Sequence, residues 1–355
     1  MTTVLRDDVR VTVGVDTHED VHVAVALDQL GRWLGELSIP THRGDFVRLL
    51  DWASEFGVFD RFGVEGTGSW GGGLSRWLRA EGLVVVEVDR PKRKTRRHGK
   101  SDTIDAEAAA RAVLSGEATA VPKTGDGPVE MIRVLRLTRR SAVKNRTMTA
   151  NQINALVTTA PDALRDQLRE LTTRRRVAVA AKFRAGKTPT SVVEATRYAL
   201  RELARRYQHL TEQIDRLDTQ LDRLVAETAP DLVARVGVGT HTAAALLVTA
   251  GDNPERLTRE GSFAHLTGSA PLDASSGKQQ RDRLNRGGDR DANSALYQIA
   301  LTRSSVDEAT KLYLKRRIAE GKSKKEAFRC LKRYIAREVH KSLAANPPSG
   351  PHLMP

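Results

Sequence analysis

The sequence predicts an α/β domain at the N-terminus, a long helical middle and a mainly α C-terminal domain. Three observations predict it. Apolar residues alternate with polar ones up to Pro40, strand and helix patterns alternate from there to about residue 120, and apolar residues recur at helical spacing beyond. With 355 residues the chain has room for two or three domains. We expect them at 1–120, 128–228 and 229–343, followed by a Pro-rich, disordered tail over 344–355.

Val9, Val11, Val13 and Val15 alternate with Arg10, Thr12 and Gly14, and Val21, Val23, Val25 and Leu27 alternate again after the polar turn 17–20. That pattern is a β-hairpin. A third strand over 31–39 carries Trp33, Leu34, Leu37 and Ile39 and is stopped by Pro40. Next come a helix over 45–56, a strand over 61–65, a Gly-rich turn into a helix ending near Glu81, a strand over 83–88 and a helix from Asp102 to about Leu114. Three meandering strands followed by alternating helix and strand describe a ribonuclease H-like sheet.

Composition bounds the partners. A net charge of +14 and an isoelectric point near 10.1 point to a polyanion, with nucleic acid the default. A basic membrane-surface protein is the alternative, but no long uncharged apolar span is present, and Arg6, Asp7 and Asp8 interrupt any signal peptide. Cys330 is the lone cysteine, which excludes an internal disulfide, and its helical spacing with Ala327, Leu331, Tyr334 and Ile335 assigns it to core packing. A cytoplasmic protein is expected.

The stretch Lys100-Ser101-Asp102-Thr103-Ile104-Asp105-Ala106 sets two carboxylates three apart, directly after the basic run Arg90-Pro91-Lys92-Arg93-Lys94-Thr95-Arg96-Arg97-His98-Gly99-Lys100. On a helix they share one face. Acids so close favour a hard divalent cation between them, Mg²⁺ or Mn²⁺. The plainer reading is a helix N-terminus, with Ser101 or Asp102 as cap and the acids complementing the dipole. Asp16 and Glu65 add weight, because each ends a strand before a tight turn, where an α/β fold places its chemistry. Each alone is also an ordinary strand end, and His18 reads as a turn residue rather than a ligand.

Residues 116–128 contain Gly116, Pro122, Gly125, Gly127 and Pro128 and form a linker. Helix follows over 129–156, breaks near Pro161 and resumes over 163–183. Leu200, Leu203, Tyr207, Leu210, Ile214, Leu217, Leu221 and Leu224 then alternate steps of three and four, the pattern of an amphipathic helix packed in a bundle or of a coiled-coil seam that pairs with a second chain or folds back on the 129–160 helix. Beyond Pro230, Val236-Gly237-Val238-Gly239-Thr240 precedes an apolar helix over 243–250 and offers backbone N–H groups to a phosphate. Ser275-Ser276-Gly277-Lys278, with Arg281, Arg283, Arg286 and Arg290 downstream, has what a serine nucleophile needs: reach, a flexible backbone and positive charge. The same pattern is also an ordinary polar turn. The helix over 323–343 carries Lys324, Lys325, Arg329, Lys332, Arg333 and Arg337 and can present cations to nucleic acid.

Gly14-Val15-Asp16-Thr17-His18, Gly63-Val64-Glu65-Gly66-Thr67-Gly68 and the Lys100–Ala106 stretch resemble the N-terminal domain of the DEDD insertion-sequence transposases, relatives of the Piv DNA invertase, whose first domain is RuvC-like. Residues 237–300 are similar to the family's C-terminal domain, whose loop carries a Ser-Gly; Ser276 matches it, with Ser275 its neighbour. The resemblance implies that Asp16, Glu65, Asp102 and Asp105 hold Mg²⁺ or Mn²⁺ at a phosphodiester and that Ser276 is the nucleophile. It implies further that Lys92, Arg93, Lys94, Arg96, Arg97 and Lys100, with Lys278, Arg281, Arg283, Arg286 and Arg290, grip nucleic acid. Implied partners are donor and target double-stranded DNA, an element-encoded guide RNA and further copies of the chain in a dimer or tetramer, without a membrane. Two other functions stay open. A Holliday-junction-type nuclease would use the acids with water as nucleophile; a non-catalytic architectural binder would need none of the acids.

Overall fold

The computed structural model describes residues 8–89, 101–184, 186, 188–253, 258–275 and 282–346. The chain divides into two units, one comprising 1–127, 250–263 and 347–355, the other 128–249 and 264–346.

The first unit is built on β1 (Arg10–Thr17), β2 (Val21–Leu27), β3 (Trp33–Pro40), β4 (Val58–Glu65) and β5 (Val85–Val88), with helices α1 (Arg43–Ser54), α2 (Gly72–Ala80) and α3 (Asp102–Leu114). The strands lie in the order β3-β2-β1-β4-β5. β1 is antiparallel to β2 and β2 to β3, while β1–β4 and β4–β5 are parallel, so β1 joins the meander to the crossover half. This mixed sheet is compatible with the ribonuclease H-like arrangement.

Strand periodicity sorts the side chains between two layers. Val11, Val13 and Val15 of β1, with Phe62 and Val64 of β4, pack with Phe46 and Leu49 of α1 and with Leu74 and Leu78 of α2. The opposite face meets α3: Val23, Val25 and Leu27 pack with Ala106 and Ala110, and Val86 and Val88 with Ala109 and Val113. Each fully buried Val, Leu or Phe contributes about 1.5–3 kcal/mol.

In the second unit, α4 (Pro128–Thr158) and α7 (Val192–Thr228) lie antiparallel. Ile153 and Val157 pack with Leu200 and Ala204, Ala142 with Leu210 and Ile214, and Arg139 pairs with Asp218 further along. The apolar face of α7 thus packs on α4 of its own chain. The expected helix over 163–183 is instead two, α5 (Asp162–Leu168) and α6 (Thr173–Ala180), because Thr172 between them is extended, at φ −60° and ψ 154°. Arg176 secures that turn, donating to the Leu168 carbonyl at 3.1 Å and the Arg169 carbonyl at 2.9 Å.

The chain continues through α8 (Pro230–Val233), α9 (Thr240–Ala250), α10 (Glu260–Leu266), β6 (Leu272–Asp273), β7 (Asp282–Arg283), α11 (Arg290–Val306), α12 (Glu308–Ala319) and α13 (Lys324–Ala345). β6 and β7 form a small antiparallel pair where the sequence reads only as loop, since two-residue strands carry no periodicity. Asp289 caps α11, accepting from the Asp291 N–H at 2.8 Å and the Ala292 N–H at 3.2 Å, and Ser323 with Glu326 forms a capping box on α13. Ala344 and Ala345, expected in the tail, complete α13; 347–355 lie outside the described residues. Among the described residues no helix is long and apolar enough to cross a membrane.

Candidate functional site

Two glycines set the geometry of the acidic site. Gly14 of β1 and Gly63 of β4 are neighbours in the parallel register, and both face α3. A Cβ on Gly14 would lie 2.1 Å from the Ala106 carbonyl oxygen and 2.2 Å from the Ala110 nitrogen; one on Gly63 would lie 2.6 Å from Val113 Cγ2. The helix therefore rests on bare backbone, which only glycine permits.

By the two-residue repeat, Asp16 shares the face of Gly14, and Glu65 that of Gly63, so both strand-end acids point to the α3 side. Thr17 ties the strand ends together, its hydroxyl donating to the Glu65 carbonyl at 3.0 Å. α3 starts at the same end. Its cap Ser101 accepts from the Ile104 N–H at 3.2 Å, and Asp102 and Asp105 occupy the first turn. Asp16 and Glu65 are buried to 6% and 5% exposure, whereas Asp102 is half exposed.

His18 completes the arrangement. Its Nε2 lies 3.1 Å from Asp16 Oδ2 and 3.3 Å from Asp102 Oδ1. Ligand atoms of these three residues all fall within 4.8 Å of one another; Glu65 and Asp105 stand outside that triplet. Burial pushes the Asp16 carboxyl above its ordinary value; His18 opposes the shift, and the charges of Asp105 and Asp102 add to it. Cis ligands of an octahedral Mg²⁺ or Mn²⁺, at about 2.1 Å from the ion, lie about 3 Å apart, so the two separations from His18 fit such an ion. The carboxylate oxygens of Asp16 and Asp102 suit such an ion chemically, whereas an imidazole nitrogen is the softer donor of the three. His18, which sequence reasoning assigned to a turn, occupies the β1–β2 turn and there also meets Asp16 and Asp102. Its one local signal is its position two residues beyond a strand-end Asp.

The basic run from Arg90 to Lys100, including Lys92, Arg93, Lys94, Arg96, Arg97 and Lys100, lies outside the described residues, as do Ser276, Lys278 and Arg281. Ser275 is described and exposed. Its hydroxyl and N–H both bond Asp273, the N–H at 2.8 Å, and these bonds hold the Asp273 carboxyl below its ordinary value.

The remaining predicted cations border two adjoining cavities in the second unit. Arg283 lines one of about 350 Å³, and Arg286 and Arg290 line the other, of about 430 Å³. Lys332, expected on the surface of α13, is buried at 7% exposure and donates to Asn293 Oδ1 at 2.7 Å, so it is a structural cation between the cavities.

Residues 13–161 match a family model described as "Transposase", that of the DEDD transposases of IS110 type. Residues 232–315 match a second, described as "Transposase IS116/IS110/IS902 family". The first match spans all four expected acids, the second both serines and Lys278 to Arg290. The mixed sheet with its acidic edge lies inside the first matched stretch, and a second stretch similar to a transposase domain follows in the same chain. The two matches lie in separate parts of the chain, and both are to transposase models of IS110 type. Over 120 residues the chain is also 34% identical to the insertion element IS110 uncharacterized 43.6 kDa protein of Streptomyces coelicolor. That stretch is 33% of this chain and 29% of the relative.

Proposed function

We propose that this protein cuts and rejoins the DNA of its insertion sequence, with Asp16, Glu65, Asp102 and Asp105 holding a divalent cation and Ser276 as nucleophile. The convergence of Asp16, His18 and Asp102 at one sheet edge, inside the first matched domain, carries the reading. Mg²⁺ or Mn²⁺ held there supplies Lewis-acid polarisation of the scissile phosphate. Ser276 Oγ attacks phosphorus, a phosphoserine ester forms, and the departing DNA oxygen takes a proton; a DNA hydroxyl later displaces the serine. Ser275, whose hydroxyl serves Asp273, has the turn-forming part. The basic run and the cations after Ser276 hold phosphate backbones of donor and target DNA and of a guide RNA. Acids and serine lie in different domains and meet across protomers of a dimer or tetramer.

The acidic cluster is assembled wholly from the first unit, which favours, as the second reading, a nuclease that activates water without the serine. One experiment separates the two. Asp16→Asn, Glu65→Gln, Asp102→Asn and Asp105→Asn should each abolish cleavage of element-end DNA in Mg²⁺ and leave DNA binding within a few-fold; two variants cutting at the parental rate would remove the four-acid site. On a nicked substrate the parent should leave a protein–DNA adduct mapping to Ser276, absent in Ser276→Ala and retained in Ser275→Ala. Recombination by Ser276→Ala with no adduct at any serine would establish water as the nucleophile. Sequencing the RNA that co-purifies tests the guide.

A further inference from the structure

We propose that the two adjoining cavities of the second unit form a track for one unpaired strand of nucleic acid, its phosphates on the arginines of α13 and its bases against Tyr334 and Tyr297. The proposal rests on the chain being a nucleic-acid enzyme, but it needs neither the acidic site nor the serine.

The first cavity lies between residues 268–271, Arg283 to Asn285 and the helices α12 and α13. Arg329, Arg333 and Arg337 line it at intervals of four residues, one stripe along α13. Each step rises about 6 Å, comparable to the separation of successive phosphates along an extended strand. Arg283, Arg317 and Lys322 add charge to the same lining. Glu326 is the one carboxylate among the described lining residues; it accepts from the Ser323 hydroxyl and N–H in the capping box and lies 3.9 Å from the Arg329 guanidinium. A groove so lined binds an anion.

The aromatic residues make the anion a nucleic acid with bases available. Tyr334 is 49% exposed, meets Tyr313 edge to face at 5.5 Å between centroids and carries the Arg337 guanidinium over its ring, 5.6 Å from the centre. Such a braced ring stacks a base at little entropic cost. The second cavity repeats the pattern: Arg286 and Arg290 stand with Tyr297, which is 44% exposed and packs on Phe328 at 5.9 Å. The cavities share Gly268, Leu284, Asn285 and Lys332. Two consecutive pairings of cations with a tyrosine suit a polymer that repeats phosphate and base. At about 350 and 430 Å³ each is the size of a pocket for one small ligand. A duplex keeps its bases stacked inside and offers the tyrosines nothing.

The test uses the full chain in EDTA, so that failure of the acidic site leaves it unaffected. Fluorescence anisotropy measures binding of a fluorescein-labelled single-stranded DNA of mixed sequence, the same sequence as RNA, and the DNA duplex. Arg329→Ala/Arg333→Ala/Arg337→Ala should weaken single-strand binding at least tenfold and lower the slope of log affinity against log salt by about 2, three phosphates at about 0.7 each. Tyr334→Ala and Tyr297→Ala should each weaken it about fivefold or more, with duplex binding changed less than twofold. The triple Arg→Lys variant, which keeps the charge, should retain most of the slope and serves if the alanine variant fails to fold. Loss with the DNA strand, the RNA strand or both supports the track and identifies its occupant. Unchanged single-strand affinity in both tyrosine variants, or equal losses for strand and duplex, would overturn it.

Discussion

Asp16 sits where its charge is costly, because burial and the carboxylates of Asp102 and Asp105 raise its pKa while only His18 opposes them. The folded, metal-free protein therefore holds the Asp16 proton more tightly than the unfolded chain does. Stability from this group is fully present below the ordinary value of 3.8 and is lost as pH rises through the raised one. In EDTA at neutral pH, Asp16→Asn should melt above the parent by calorimetry, and acidification should close the gap. Addition of Mg²⁺ should raise the melting temperature of the parent and not of the variant. A variant melting no higher than the parent in EDTA would show that Asp16 is not held under repulsion. His18 shares this setting: its Nε2 faces two carboxylates, and a neutral ring has one N–H to offer them.

At the scale of elements, α7 packs on α4. Leu210 is 9% exposed and packs with Ala142 of α4 and Ile214. Leu210→Asp places an unpaired charge in that contact and should cost about 3 kcal/mol or more. The loss should appear as a lower melting temperature, with the mass measured by light scattering unchanged. A smaller assembly at an unchanged melting temperature would mean that the seam joins two chains. Sequence periodicity gave the apolar face of α7 but not its partner, since a seam facing one's own helix and one facing a second copy have the same spacing.

At the scale of the molecule, the chain returns to its first unit after leaving it. Asn253 donates to the Pro122 carbonyl at 3.1 Å, and a Cβ on Gly127 would meet Asp252 Oδ1 at 2.4 Å. A fragment ending at Gly127 should therefore melt below the first unit of the intact chain by circular dichroism, and equal melting would show that 250–263 adds nothing. That return was not legible in a sequence read domain by domain, because Asn253 carries no periodic signal. The sheet was legible, since β1 and β2 alternate cleanly, and so were Asp16 and Glu65 as acids at strand ends. His18 was not, because its place depends on where α3 lands. The arginines of α13 were legible as a helical stripe, but their opposite wall comes from residues 268–271 and Arg283, brought there by tertiary packing. The landing of α3 follows from Gly14 and Gly63. At Gly14 no strand side chain comes between β1 and the backbone of α3 at Ala106 and Ala110, so that contact has no rotamer to change. The acidic edge is thus gauged like a machined part at that one point, where peptide plane meets peptide plane, while packing holds the rest of α3.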